Sequence, residues 1–183
     1  SSMEYPFPSS RSSGKHTAAL ALYSAIRRNC AASSLRHICV PTNSEGRALA
    51  ANTLFADLLA FPLIERAEIV FMHVKADIDA AIDCMSASWP CLTHLSLTHK
   101  RREESGGARM VRLATLRGLL PLGQRCPNLT FLKVDIDPDS AWPPPDALEG
   151  GLPLVRKNLT FSIRPIPERH ATAIDMFLRI LFP

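Results

Sequence analysis

A chain of 183 residues, 46% of them hydrophobic, is long enough to bury one core and too short for two full domains. Its formal charge of +4 comes from scattered Lys and Arg, and the one basic run, Lys100-Arg101-Arg102, passes directly into Glu103-Glu104. That pattern excludes a nucleic-acid surface, which needs clustered cations without interleaved carboxylates, and no run reaches the roughly 18 apolar residues that a membrane span requires.

In chain order, residues 1–15 read as a disordered lead-in and residues 16–183 as a single domain. Thr17 to Ile26 forms an amphipathic helix that ends at Arg27-Arg28. From there one short pattern returns along the chain: an apolar residue, two variable, an apolar, one variable, an apolar. It reads Leu35-x-x-Ile38-x-Val40, Ile64-x-x-Ala67-x-Ile69, Leu92-x-x-Leu95-x-Leu97 and Leu129-x-x-Leu132-x-Val134, in steps of 29, 28 and 37, with Leu159 a further 30 on. The long step holds a polar insertion at 99–110 that includes Gly106-Gly107, and without it the period is nearly constant. In the fifth unit Leu159 stands one residue out of phase, so Phe161 and Ile163 take the inward places.

Helix-like segments of return-connection length lie between these patterns: Arg47 to Leu59, Ile78 to Ser88, Leu113 to Gln124, Asp146 to Val155 and Ala171 to Leu181. Asp77 sits where an N-cap belongs, ahead of Ile78, Ala81, Ile82 and Met85 at helical spacing. A strand followed by a helix in every unit cannot bury its apolar face alone. Stacked side by side, about five such units predict an α/β fold, a short leucine-rich-repeat solenoid with a parallel concave sheet and helices on the convex side. A doubly wound sheet fits less well, since the helices suit one face only and no Gly-rich strand-to-helix turn is present. At the end of the chain Phe177, Leu178, Ile180, Leu181 and Phe182 crowd together with Arg179 as the only charge among them, which predicts an uncapped, fraying, self-associating terminus.

Several stretches resemble the leucine-rich-repeat portion of basidiomycete fungal F-box-like proteins. They are Leu58-Leu59-Ala60-Phe61, Asp77-Ile78-Asp79-Ala80-Ala81-Ile82, Trp89-Pro90-Cys91-Leu92-Thr93-His94-Leu95, Thr115-Leu116-Arg117-Gly118-Leu119-Leu120-Pro121-Leu122, Arg125-Cys126-Pro127-Asn128-Leu129, and Ala173 to Pro183. The resemblance implies the substrate-recognition arm of a cullin-RING ubiquitin ligase, with a Skp-type adaptor as partner only if an F-box lies upstream. No F-box sequence is found in this chain. The alternative is a free-standing repeat scaffold, or a truncated remnant, with no ligase role.

Chemistry-bearing motifs give way to structural readings. The five cysteines, at 30, 39, 84, 91 and 126, form no Cys-x-x-Cys pair and suit a reduced cytoplasmic or nuclear setting. Asp135, Asp137, Asp139 and Asp146 imitate a calcium loop, yet the sixth place, where the turn demands Gly, is Ser140. Gly14-Lys15-His16-Thr17 lacks the leading glycine and the hydroxyl after lysine that a phosphate loop needs. No nucleophile has a base set beside it by local structure, so neither catalytic residues nor cofactors nor metal are expected.

The expected function is protein binding through the concave face. If the fourth and sixth places of each pattern point inward, the third and fifth point out. These columns are His37, Arg66, His94, Phe131 and Cys39, Glu68, Ser96, Lys133, with Arg66 flanked by both histidines. The expected partner is a protein of unknown identity, with no nucleic acid and no membrane.

Overall fold

The computed structural model describes residues 14–43, 53, 55–72, 77–100, 113–137, 160–162 and 168–182. Helix α1 (Gly14–Asn29) leads into β1 (His37–Asn43) and β2 (Arg66–Met72), then α2 (Ile78–Ser88) and β3 (His94–Lys100). A 3-10 turn (Arg117–Leu119) runs into α3 (Leu120–Arg125), followed by β4 (Phe131–Val134), β5 (Thr160–Ser162) and α4 (Glu168–Leu181). The class is α/β. The strands form one parallel sheet in sequence order, β1-β2-β3-β4-β5.

One side of the sheet is core. Ile38, Val40, Ala67, Ile69, Leu95, Leu97, Leu132 and Val134 are all buried, as the inward places require. Leu92 and Leu129, the first residues of their patterns, are buried as well, with Ile64 beside them in the same cluster. The opposite face is exposed or half-buried at every described position of the two outward columns.

The units repeat bond for bond. The Arg36 carbonyl accepts from the amides of Glu65 and Arg66, the Glu65 carbonyl from Thr93 and His94, and the Thr93 carbonyl from Thr130 and Phe131, all within 2.8–3.1 Å. Thr93 and Thr130 each add a hydroxyl donated to that same carbonyl, at 2.9 and 3.0 Å. Each polar backbone group at a strand entry is thereby satisfied by the preceding unit. Deeper in the core, Trp89 Nε1 donates to the Leu58 carbonyl at 3.4 Å and the Cys126 thiol to the Trp89 carbonyl at 3.8 Å. Burial pushes that thiol's pKa up to about 12, partly opposed by Arg125, so Cys126 is a packed protonated thiol.

Helix α2 has the predicted bounds, and Asp77 caps it by accepting from the Ala80 amide at 3.2 Å. Its first turn also carries a bond between units. Asp79 accepts from the Thr115 amide at 2.8 Å and the Thr115 hydroxyl at 2.6 Å, and that hydroxyl accepts in turn from the Gly118 amide at 3.0 Å.

The expected helix from Leu113 to Gln124 is corrected here. Its apolar spacing is helical, but Ala114 pairs in parallel with Ile136, donating to the Asp135 carbonyl and accepting from the Asp137 amide. Backbone held in that bridge and by Asp79 is extended, so helical structure starts only at Arg117.

At the N-terminal side, α1 packs on β1 and buries Tyr23. Ser24 donates to Asp57, and Arg27 lies 3.6 Å from the same carboxylate. The helix opens at Gly14, slightly ahead of the expected boundary at 16, in keeping with the strong helix formers that follow. At the other end, α4 has a buried and an exposed face. Ile174, Phe177, Leu178 and Leu181 of α4 are buried, while Asp175 and Arg179 pair on its outer side at 2.7 Å. Leu181 seats on Gly123 of α3, where an added Cβ would stand 2.5 Å from its Cδ1. Met176 and Ile180 are the apolar side chains α4 leaves exposed.

Strand β3 runs to Lys100, so the insertion begins no earlier than residue 101. Residues 101–112, the segment Asp146 to Val155, Ile163, the lead-in through residue 13, and most of Arg47 to Leu59 lie outside the described residues.

Gly118 gives a direct test of the link between units, because a Cβ there would sit 2.0 Å from Asp79 Oδ1. Gly118→Ala is expected to lower stability by about 2 kcal/mol, the range for a broken buried hydrogen-bond network, read from urea denaturation. In an Asp79→Ala background the same change should cost clearly less, as a coupled pair requires. Equal costs in both backgrounds would contradict the clamp.

Candidate open-face binding surface

Register places the two outward columns side by side. His37, Arg66, His94 and Phe131 align across β1 to β4, as do Cys39, Glu68, Ser96 and Lys133. Parallel strands of alternating pleat cannot arrange these residues otherwise once the inward places are buried. The strands extend beyond the six-residue pattern, and the next outward positions, Val70 and Thr98, align and are half-buried.

Glu68 is the hub of the face. Its Oε1 accepts from Arg66 Nε at 2.9 Å and Nη2 at 2.6 Å, and lies 3.9 Å from His94 Nε2. Its Oε2 is 4.0 Å from the Cys39 thiol. Arg66 therefore folds along its own strand and does not extend between the two histidines that flank it in register. The guanidinium is matched by a carboxylate two residues away. On the far side, the His94 and Phe131 rings stack with centroids 4.0 Å apart and planes 4° from parallel. An offset or stacked pair of this kind contributes about 0.5–1.5 kcal/mol beyond its buried area. Ser96, the smallest side chain of the middle row, lies between Glu68 and Lys133.

Among the described residues no group of three or more His, Cys, Asp or Glu could hold a metal ion. Of the calcium-like aspartates, Asp135 is buried and Asp137 half-buried beside the Ala114 bridge, while Asp139 and Asp146 lie outside the described residues. All five cysteines are free thiols. No described helix is long and apolar enough to cross a membrane.

Compared with known proteins, the chain matches no family model, no curated protein and no solved structure.

The His94 environment has a measurable consequence. Burial lowers its pKa below the ordinary 6.5, and Arg66 lowers it further while Glu68 opposes. With a folded value below the unfolded one, the unfolded chain binds more protons in the window between them. Stability therefore falls as pH drops through 6.5 toward the folded value, and is unaffected by this group at higher pH. An NMR titration of the His94 ring is expected to give a midpoint below 6.5. Arg66→Gln should raise that midpoint and Glu68→Gln should lower it. Shifts of opposite sign would contradict the arrangement around Glu68.

Proposed function

We propose that this chain is a non-catalytic protein-binding module of the leucine-rich-repeat type, in which stacked strand-helix units present the open sheet face to a partner. The observation that carries this reading is the repeated strand entry, the same shared carbonyl at Arg36, Glu65 and Thr93. It supports a solenoid, in which each unit is stabilised by its neighbours and one broad face is left for binding. The face itself supplies the features that protein interfaces favour: a half-buried aromatic, an arginine, and polar side chains at the margin.

Within this reading, the resemblance of the repeat stretches to fungal F-box-like proteins supports a role in substrate selection by a ubiquitin ligase. The alternative is a free-standing scaffold. Sequence upstream in the natural gene product separates them: an in-frame F-box and co-purification of a Skp-type adaptor support the ligase role, and their absence supports the scaffold.

Ser96→Trp tests the binding face, since it fills the centre of the middle row without removing a core contact or a described hydrogen bond. The variant is expected to lose the proteins that co-purify with the wild type from native cells, with a Tm within a few degrees of it. Retained partners, together with their loss on deletion of residues 101–109, would move the site to the insertion.

A further inference from the structure

Among the described side chains of the open face, Lys133 is a cation without an ion pair. The carboxylate of that face's β2 strand is already engaged, Glu68 by Arg66 at 2.6 Å. Across the sheet, the exposed side chain of Lys133 makes no ion pair or hydrogen bond with any described residue. Glu68 and Lys133 are two strands apart, on the order of 10 Å at the usual strand spacing, which is beyond direct pairing. Phe131, two residues before Lys133 on β4, presents the outer ring of the stack on the same face. Lys133 is thus a solvated cation beside an aromatic wall, with low Ser96 between it and the neutralised pair.

We propose that the open face recognises an acidic segment of a protein partner, setting a carboxylate on Lys133 and an adjacent apolar or aromatic side chain against the His94–Phe131 stack. This rests on the reading of the face as a protein-docking surface and adds the chemistry of what docks. Charge complementarity sets the sign, because the exposed Lys133 side chain has no ion pair among the described residues while Glu68 is already held by Arg66. A single cation beside apolar surface suits a side-chain carboxylate better than a phosphodiester chain, which is held by rows of cations. The neutralised Glu68–Arg66 pair on β2 and the open cation on β4 orient the segment, with its acidic group toward β4.

Short random peptides displayed on phage provide the probe, selected against the folded chain and then measured by fluorescence anisotropy. Enriched peptides are expected to carry Asp or Glu beside Phe, Tyr, Trp or Leu. Their affinity should fall about tenfold or more on Lys133→Glu, survive Lys133→Arg, and weaken on Phe131→Ser. Enriched peptides that are neutral or basic, or that ignore Lys133→Glu yet are lost on Phe131→Ser, would overturn the acidic chemistry while leaving the docking surface in place. Failure to enrich any peptide sensitive to Lys133→Glu, Phe131→Ser or Ser96→Trp would overturn both.

Discussion

The shared carbonyl at each strand entry is the constraint on which the rest of the structure depends. Arg36, Glu65 and Thr93 each hold two successive amides of the following unit. Strand side chains alternate with a period of two, so a slip of one residue at any entry would turn an entire set of core residues outward. Fixing the entry fixes both the buried face, with Ala67 and Leu95 fully buried, and the open one, with Arg66 and His94 in line. Thr93 and Thr130 reinforce the bond by donating their hydroxyls to the same acceptors. Without the ladder there would be no alignment of Glu68 between Cys39 and Ser96, and no stack of His94 on Phe131.

On the helical side a different device serves the same end. Asp79 reaches from the first turn of α2 to the segment before α3, and Trp89 and Cys126 each donate to a carbonyl one unit back. Large apolar side chains fill the space between, among them Phe55, Phe61, Ile82 and Met85, and Phe55 meets Phe71 edge to face. Directional bonds between units specify the stacking, while apolar burial supplies most of the stability. The open face is consequently left out of the main core.

Much of this was legible in the sequence, for identifiable reasons. The spaced Leu, Ile and Val of each pattern mark buried strands because burial on one face imposes a local period, and Asp77 marks a helix start because its carboxylate reaches only the next turn. The two outward columns follow from the same alternation. What sequence could not show is contact between side chains far apart in the chain or folded back on their own strand. Leu113 to Gln124 carries helical spacing, yet Ala114 is claimed by the backbone at Asp135 and Asp137, and Thr115 by Asp79, 36 residues earlier. Column order sets Arg66 between two histidines, but not that its guanidinium folds back onto Glu68 of its own strand. Nothing local in the C-terminal apolar run reveals that Leu181 packs on Gly123 while Ile180 stays exposed.

Scalar couplings across hydrogen bonds, measured between amide nitrogen and carbonyl carbon by NMR, test the register most directly. Couplings are expected from the Arg66 amide to the Arg36 carbonyl, from His94 to Glu65, and from Phe131 to Thr93. Couplings from those amides to carbonyls one residue away would exchange the buried and open faces and contradict the account.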